Sequence, residues 1–264
     1  MRIATWNLNT WRNARNRGAT NEQQWRWADK YLAADLIVFT EASTPPPASV
    51  IANTWSTAHR PNGFPGTSKW GTVIAGRSSS AVRVTRITHI GESQKELDTL
   101  FPGTLTAAMV NVTNRPVAIV IGLHLRYRKD KNGDFVGHPA DDLLRLKSDL
   151  QAIASSTDLP LVIAGDFNFD IEDEEIGFPV PRMLTRLADK ERRIENPFPN
   201  GMQGTFQQDW EGGGEFNLDY IFLSKSLNSR VTLACGGFEH FKDALELSDH
   251  VPVLVEIDCL PAHV

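Results

Sequence analysis

A chain of 264 residues that is 41% hydrophobic can bury a sizeable core, and its length suits one large α/β or β-sandwich domain over residues 1-264. Its 27 Lys and Arg against 32 Asp and Glu leave a net charge of −5, which excludes a uniformly basic nucleic-acid coat and confines polyanion binding to a local patch. There is no run of about 18 apolar residues, so no membrane span is expected, and no obligate protein partner is evident. Met1-Arg2 leads directly into the strand-like Ile3-Ala4-Thr5-Trp6 without a leader pattern, and a cytoplasmic location is expected. Cys235 and Cys259 form no metal-type cluster and are expected as two buried thiols rather than a pair.

Arg2 to Leu8 is predicted as a strand with Asn7 and Asn9 at its end, followed by a loop carrying Trp11, Arg12, Arg15 and Arg17. Thr20 and Gln23 match a capping box, and Trp25, Ala28 and Leu32 recur at helical spacing over about three turns. Asp35 to Glu41 reads as a buried strand, and Pro45-Pro46-Pro47 ends regular structure after it. Strands are expected over Gly71 to Ala75, Ala81 to Ile90, Thr104 to Val112 and Pro116 to His124. A basic loop follows from Arg126 to Lys131, closed by Asn132-Gly133. Pro139, with Leu143, Leu146, Leu150 and Ile153 on one face, marks the clearest helix.

That helix runs into Leu161-Val162-Ile163-Ala164, a β-branched run read as a buried strand. Gly165 is expected to turn the chain, and continued extension would point Asp166 and Asn168 the same way. A helical patch is expected at Met183 to Leu187, and a Gly- and Pro-rich loop from Asn196 to Glu215. Phe216 to Leu223, Val231 to Cys235 and Val251 to Ile257 complete the expected strands.

Polar residues recur at the ends of these apolar runs: Asn7, Glu41, His124, Asp166 with Asn168, Asp219, and Asp249 with His250. Each alone has an ordinary structural explanation as a turn former, a cap or a satisfied histidine. An acid such as Asp219 among strand residues nevertheless needs a partner when buried, and Asp249-His250 offers one. Together, carboxylates and amide oxygens suit a hard cation such as Mg2+ or Mn2+. A histidine held by an aspartate is oriented and made more basic. A metal, a base and cationic donors are what hydrolysis of a phosphate ester requires.

Six segments in this order, Thr5-Trp6-Asn7, Phe39-Thr40-Glu41, Gly122-Leu123-His124, Gly165-Asp166-Phe167-Asn168, Leu218-Asp219-Tyr220-Ile221 and Ser248-Asp249-His250-Val251-Pro252, resemble the endonuclease/exonuclease/phosphatase superfamily of deoxyribonuclease I. The resemblance implies a four-layer α/β sandwich of two facing mixed β-sheets flanked by helices, with the site at one edge. It implies Glu41 as principal metal ligand with Asn7 and Asp249 nearby, and a Mg2+ or Mn2+ cofactor. Asp166 would activate water, and Asn168 would hold water and phosphate oxygens. His250, oriented by Asp219, would contact the scissile phosphate. His124 would stabilise phosphate or protonate the leaving group. Whether one or two metals act, and whether Asp166 or His250 is the base, stays open.

The substrate is less constrained. His124-Leu125-Arg126-Tyr127 stands where abasic-site enzymes of the family place a Tyr-x-Pro-Asn pattern, which disfavours abasic-site repair. Arg126 replaces the glutamine of the sphingomyelinases, which disfavours a lipid substrate. Arg12, Arg15 and Arg17 after one strand, and Arg126 and Arg128 after another, would form a basic rim for a nucleic acid. Tyr127 and Trp210 could stack on bases there. The expectation is a nuclease acting on DNA. The alternatives are a phosphatase or phosphodiesterase on inositol phosphates, phospholipids or other small esters, and a catalytically silent binding module.

Overall fold

The computed structural model describes residues 1–10, 20–52, 54–59, 70–90, 95–96, 105–129, 132, 134–171, 193–198, 204–207 and 214–258. Twelve strands build its two large sheets: β1 (Arg2–Asn7), β2 (Leu36–Ser43), β3 (Trp55–His59), β4 (Trp70–Arg77), β5 (Val82–Ile87), β6 (Leu105–Val112), β7 (Arg115–His124), β8 (Leu161–Asp166), β9 (Ile194–Glu195), β10 (Asp219–Ser224), β11 (Val231–Gly236) and β12 (Val253–Ile257). The first sheet runs β11-β12-β1-β2-β4-β3 and the second β9-β10-β8-β7-β6-β5. Each has one parallel pair at its centre, β1 with β2 and β7 with β8, and antiparallel neighbours outside it. Parallel neighbours need a crossover. Helix α1 (Asn21–Trp27) lies in the first and helix α2 (Pro139–Ser155) in the second.

The period-2 alternation of the strands sorts side chains into layers. Ile3, Val38, Val120, Val162, Ala164, Ile221 and Val253 face inward and join the two sheets in one apolar layer. Their sequence neighbours face outward. Ala4, Trp6, Ile37 and Phe39 pack with Trp25 and Leu32, and Ile119, Ile121, Leu161 and Ile163 pack with Leu143, Leu146, Leu150 and Ile153 of α2. This is the four-layer sandwich that the sequence predicts. Truncating Leu143 or Leu150, both fully buried, would cost about 2–5 kcal/mol. Near one end the sheets approach closely: a Cβ on Gly122 would lie 2.6 Å from Thr72 and 2.9 Å from Val38 of the opposite sheet.

Several local expectations change. The first helix starts at the expected Thr20–Gln23 capping box but passes into a π-helical stretch over Ala28–Leu32. Strand β3 was not anticipated, because Ser56, Thr57 and His59 break its apolar run. The expected loop from Arg126 contains a short strand, Arg128–Lys129, paired antiparallel with Phe135–Gly137. The expected loop from Asn196 holds a ribbon of Phe206–Gln207 with Glu215–Phe216, whose facing phenylalanines form an aromatic cross-strand pair.

Gly165 is not the turn. It lies within β8 at φ 144°, where any Cβ would fall 1.8 Å from the Leu123 carbonyl oxygen of β7. The chain leaves extension only at Asn168, φ 56°. Cys235 is half-buried and unpaired. Met183 to Leu187, Cys259, Arg12, Arg15, Arg17 and Trp210 lie outside the described residues. No described helix is long and apolar enough to cross a membrane.

Candidate active site

Following each inward-facing row to its end leads from the apolar layer to a polar one. Ile3 and Thr5 give way to Asn7, Leu36 and Val38 to Thr40, Val120 and Gly122 to His124, Val162 and Ala164 to Asp166, and Leu223 and Ile221 to Asp219. Asn7, His124, Asp166 and Asp219 are all at least 95% buried. In register Asp166 stands between His124 on β7 and Asp219 on β10. The C-terminal ends of both parallel pairs therefore deliver their polar residues to one edge of the sandwich.

Glu41 arrives differently. The pairing of β2 with β4 shifts register between Phe39 and Ala42, and Glu41 within this bulge has φ 47°. A bulge re-aims a side chain, and a left-handed backbone at a glutamate is strained, a combination that clusters at functional sites. Regular alternation would send Glu41 outward with Phe39. The bulge brings its Oε1 to 3.2 Å from His124 Nε2 instead.

The two sheets are bonded to each other at this edge through side chains. Asn7 Nδ2 donates to Asp166 Oδ2 at 2.7 Å, His124 meets Glu41, and His250 Nδ1 lies 2.7 Å from Asp219 Oδ2. Asn168 donates its backbone N–H to Asp166 Oδ1 at 2.8 Å and its Nδ2 to Asp166 Oδ2 at 3.0 Å. His124 Nε2 also lies 3.8 Å from Asp166 Oδ2. The amide of Asn7 has only one consistent orientation, because its Oδ1 accepts from the Asn9 N–H at 2.8 Å. Asn9, at φ 44°, in turn donates its Nδ2 to Asp249 Oδ2 at 2.6 Å. These contacts join six of the eight core residues predicted from sequence, and the Asp219–His250 pair lies against them, its ligand atoms within 4.8 Å of those of Asp166.

Burial and charge set the protonation states. Burial alone would push the Glu41 carboxyl up, but the hydrogen bond and charge of His124, with His250 and Arg126, hold it down at about 2. Burial and the neighbouring Asp219 charge raise Asp166 to about 6, against His250, His124 and the Asn7 bond. Burial would lower His250, but Asp219, by charge and by hydrogen bond, with Asp166 and Asp249, raises it to about 10. At neutral pH the site therefore holds an imidazolium beside a carboxylate that is easily protonated, the kind of separated pair that acid–base chemistry uses.

The donor set fits a hard divalent cation. Four carboxylates converge at this edge, and ligand atoms of Asp166, Asp219 and His250 lie within 4.8 Å of one another. Oδ1 of Asp219 is buried without a hydrogen-bond partner among the described residues, an unusual state for a carboxylate oxygen. His250, held by Asp219 through Nδ1 and raised to about 10, offers a proton rather than a lone pair at neutral pH, which leaves oxygen donors as the available set.

Of the expected substrate contacts, Arg126 is half-buried, and its charge faces Glu41 and Asp166. Burial lowers its pKa against those two acids. Tyr127 is exposed, its ring edge-on to His138 at 5.2 Å. Arg128 lies in the short strand after them. Sequence reasoning missed Asn9 as a site residue, although it stands two positions beyond Asn7. It also missed Thr205, whose Oγ1 accepts from the N–H groups of Leu218 and Asp219 at 2.9 and 3.0 Å and fixes the start of β10.

Two facing mixed sheets with an acidic and histidine-bearing edge define a deoxyribonuclease I-like sandwich. The chain belongs to the endonuclease/exonuclease/phosphatase family, whose model matches residues 4–250. Nucleases and phosphatases share phosphoester hydrolysis, and membership supports that reaction class. Among curated proteins no sequence match is found. Among solved structures the fold is shared with the 3' phosphatase NExo from Neisseria bound to a product DNA hairpin, at 17% identity and TM-score 0.69 over 98% of this chain and 100% of that one. An AP endonuclease from Archaeoglobus fulgidus matches at 16% identity and TM-score 0.65, with 98% and 100% covered. A mannosyl-6-phosphatase from Bacteroides thetaiotaomicron matches at 17% and 0.62, with 98% and 100% covered.

Proposed function

We propose that the protein is a Mg2+- or Mn2+-dependent phosphodiesterase that acts as a nuclease on DNA. The observation that carries the reading is the buried Asp166 carboxylate, raised to about 6 and set beside the Asp219–His250 pair. Above pH 6 or so Asp166 is ionised and takes a proton from the attacking water, which the Asn168 amide holds in place. His250, protonated up to about 10, is held by Asp219 through Nδ1 and keeps Nε2–H to donate to a phosphoryl oxygen. His124 is placed to steady the phosphate or to protonate the departing oxygen. Glu41, with Asn7 and Asp249, would hold the cation. A bound cation supplies polarisation of the phosphoryl oxygens and offsets charge developing on them.

DNA as substrate is supported by the relatives that act on it, the Neisseria enzyme bound to a DNA product and the Archaeoglobus AP endonuclease. The basic residues Arg12, Arg15, Arg17, Arg126 and Arg128, with Tyr127 and Trp210, are the proposed contacts. A second reading, a small phosphate ester, has its own support. Arg126 is sunk beside the carboxylates rather than standing on the rim, which suits a compact terminal phosphate, and the Bacteroides relative is a sugar phosphatase.

One substrate panel tests the choice: plasmid, single-stranded DNA, an abasic-site duplex, RNA, sphingomyelin, inositol polyphosphates and a sugar 6-phosphate, each with and without EDTA. Cleavage of DNA abolished by EDTA is expected. Turnover confined to the last three would overturn the nuclease reading. DNA cleavage should fall steeply with salt, and Arg126→Ala should flatten that dependence.

A further inference from the structure

Helix α1 carries a glutamine that the site's chemistry does not use. Gln24 is fully buried, and its Nε2 donates to two backbone carbonyls, that of Leu8 and that of Leu247, the latter at 2.8 Å. Leu8 stands between Asn7 and Asn9, and Leu247 immediately precedes Ser248-Asp249-His250. One side chain on a third element therefore spans the two segments that carry Asn7, Asn9, Asp249 and His250. Both of its nearest acceptors are carbonyl oxygens, so the amide can be turned only one way, with Nε2 towards them. Oε1 is then left buried with no partner among the described residues. A fold that keeps an unsatisfied buried oxygen calls for a reason beyond packing, and strained or unsatisfied groups gather where function constrains the structure.

The same two segments are stitched by two further bonds. Trp6 Nε1 donates to the His250 carbonyl at 2.9 Å, and Ser248 Oγ donates to the Asn7 carbonyl at 2.8 Å. The bonds from Gln24, Trp6 and Ser248 all end on main-chain carbonyls and so fix backbone position, alongside the side-chain bond from Asn9 to Asp249. The first sheet needs such stitching. Asn9 has a left-handed backbone, and Asp249 and His250 precede β12 rather than sitting in it. Gln24 is the stitch that does not depend on either segment for its own position.

We propose that Gln24 is a positioning residue that holds the Leu8 and Leu247 segments at the spacing the site requires, so that Asn7, Asn9, Asp249 and His250 move as one body. The inference rests on phosphoester hydrolysis as the reaction, and one of its two readouts needs no substrate. Misplacement of a reacting group by about 1 Å can cost about a hundredfold in rate. Gln24→Leu is expected to lower kcat about 10- to 100-fold with KM within about twofold, on whichever phosphate ester the panel identifies. Gln24→Glu, whose protonated carboxyl keeps one donor, should lie between Leu and the native protein.

The second readout is amide hydrogen exchange in the protein alone. Exchange at the Asn9 and His250 amides should rise together by about tenfold or more in Gln24→Leu, while the β7 and β8 amides stay protected. Arg77→Met serves as the control. Arg77 bonds Asp29 and the Ala34 carbonyl away from the site, and its loss should lower Tm without moving kcat or these amides. A Gln24→Leu protein with lowered Tm but native kcat and native exchange at Asn9 and His250 would overturn the proposal and make Gln24 purely structural. If the native protein turns over no phosphate ester, the function reading fails, and the exchange experiment still decides the positioning role.

Discussion

The two sheets contribute to the site by different means. The second sheet supplies His124, Asp166 and Asp219 by simple continuation: adjacent strands in register, each carrying its inward row one step beyond the apolar layer. The first sheet supplies Asn7 in this way, but Glu41 comes from a bulge, Asn9 from a left-handed residue, and Asp249 and His250 from the segment before β12. A sheet end can aim groups only along its pleat. The irregular half therefore provides what the pleat cannot, groups that meet the regular half at the shared edge. The regular half is stiff by construction. The irregular half depends on bonds to its main chain.

The largest expected effect breaks the regular half at its chemistry. Asp166→Asn exchanges a carboxylate for a near-isostere and removes the proposed base, and phosphodiester cleavage should fall by about a thousandfold or more. In Tm two changes oppose each other: relief of a carboxylate ionised against burial and Asp219, and loss of one acceptor oxygen for the donors on Asn7 and Asn168. Unchanged metal-dependent turnover in this variant would remove the assignment. Gly165→Ala strikes the same half through its backbone. The added Cβ would meet the Leu123 carbonyl at 1.8 Å where φ is 144°, so β7 and β8 would have to part. A loss of about 3 kcal/mol or more in a denaturant titration is expected, and an Ala variant of native stability would show the strands less tightly joined than described.

Glu41→Gln tests the irregular half. The bulge would remain, but the charge beside His124 would not, and the concentration of Mg2+ or Mn2+ giving half-maximal activity should rise about 10- to 100-fold. An unchanged metal titration would separate Glu41 from the cation. The contrast between halves would sharpen if Asp166→Asn lowers kcat at saturating metal while Glu41→Gln is rescued by more metal.

The same difference governs what the sequence reveals. The regular half was legible because an apolar run ending in a charged residue, such as Val162 to Asp166, reads as a strand and a site at once. Glu41 was legible as a strand-end acid, but the bulge that aims it was not, since Thr40-Glu41 carries no glycine or proline to mark it. Gln24 left no trace. It lies in an ordinary helical sequence, and its acceptor on Leu247 is main chain 223 residues away, which no local pattern encodes. Strand β3 was hidden by its polar residues, and the Phe206–Gln207 ribbon by surrounding glycines. The six ordered motifs succeeded because each marks a strand end, and the fold collects strand ends along one edge.

The smallest expected effect concerns one of the bonds that join the halves, His250 to Asp219. His250 is raised from 6.5 to about 10 in the folded protein, chiefly by Asp219 working against burial. A histidine raised on folding stabilises fully below its unfolded pKa, and that contribution is lost as pH rises through the folded value. Asp219→Asn removes the cause, so the variant should melt below the native protein at pH 7, and the gap should narrow steadily towards pH 10. Asp166 titrates near 6, below this window, so its relief from the Asp219 charge adds a constant to the gap and leaves the pH dependence to His250. Thermal melts in EDTA across pH 7–10 measure it. A gap that stays constant over that range would mean that His250 is neutral in the folded protein, and that the halves are joined by a plain hydrogen bond rather than an ion pair.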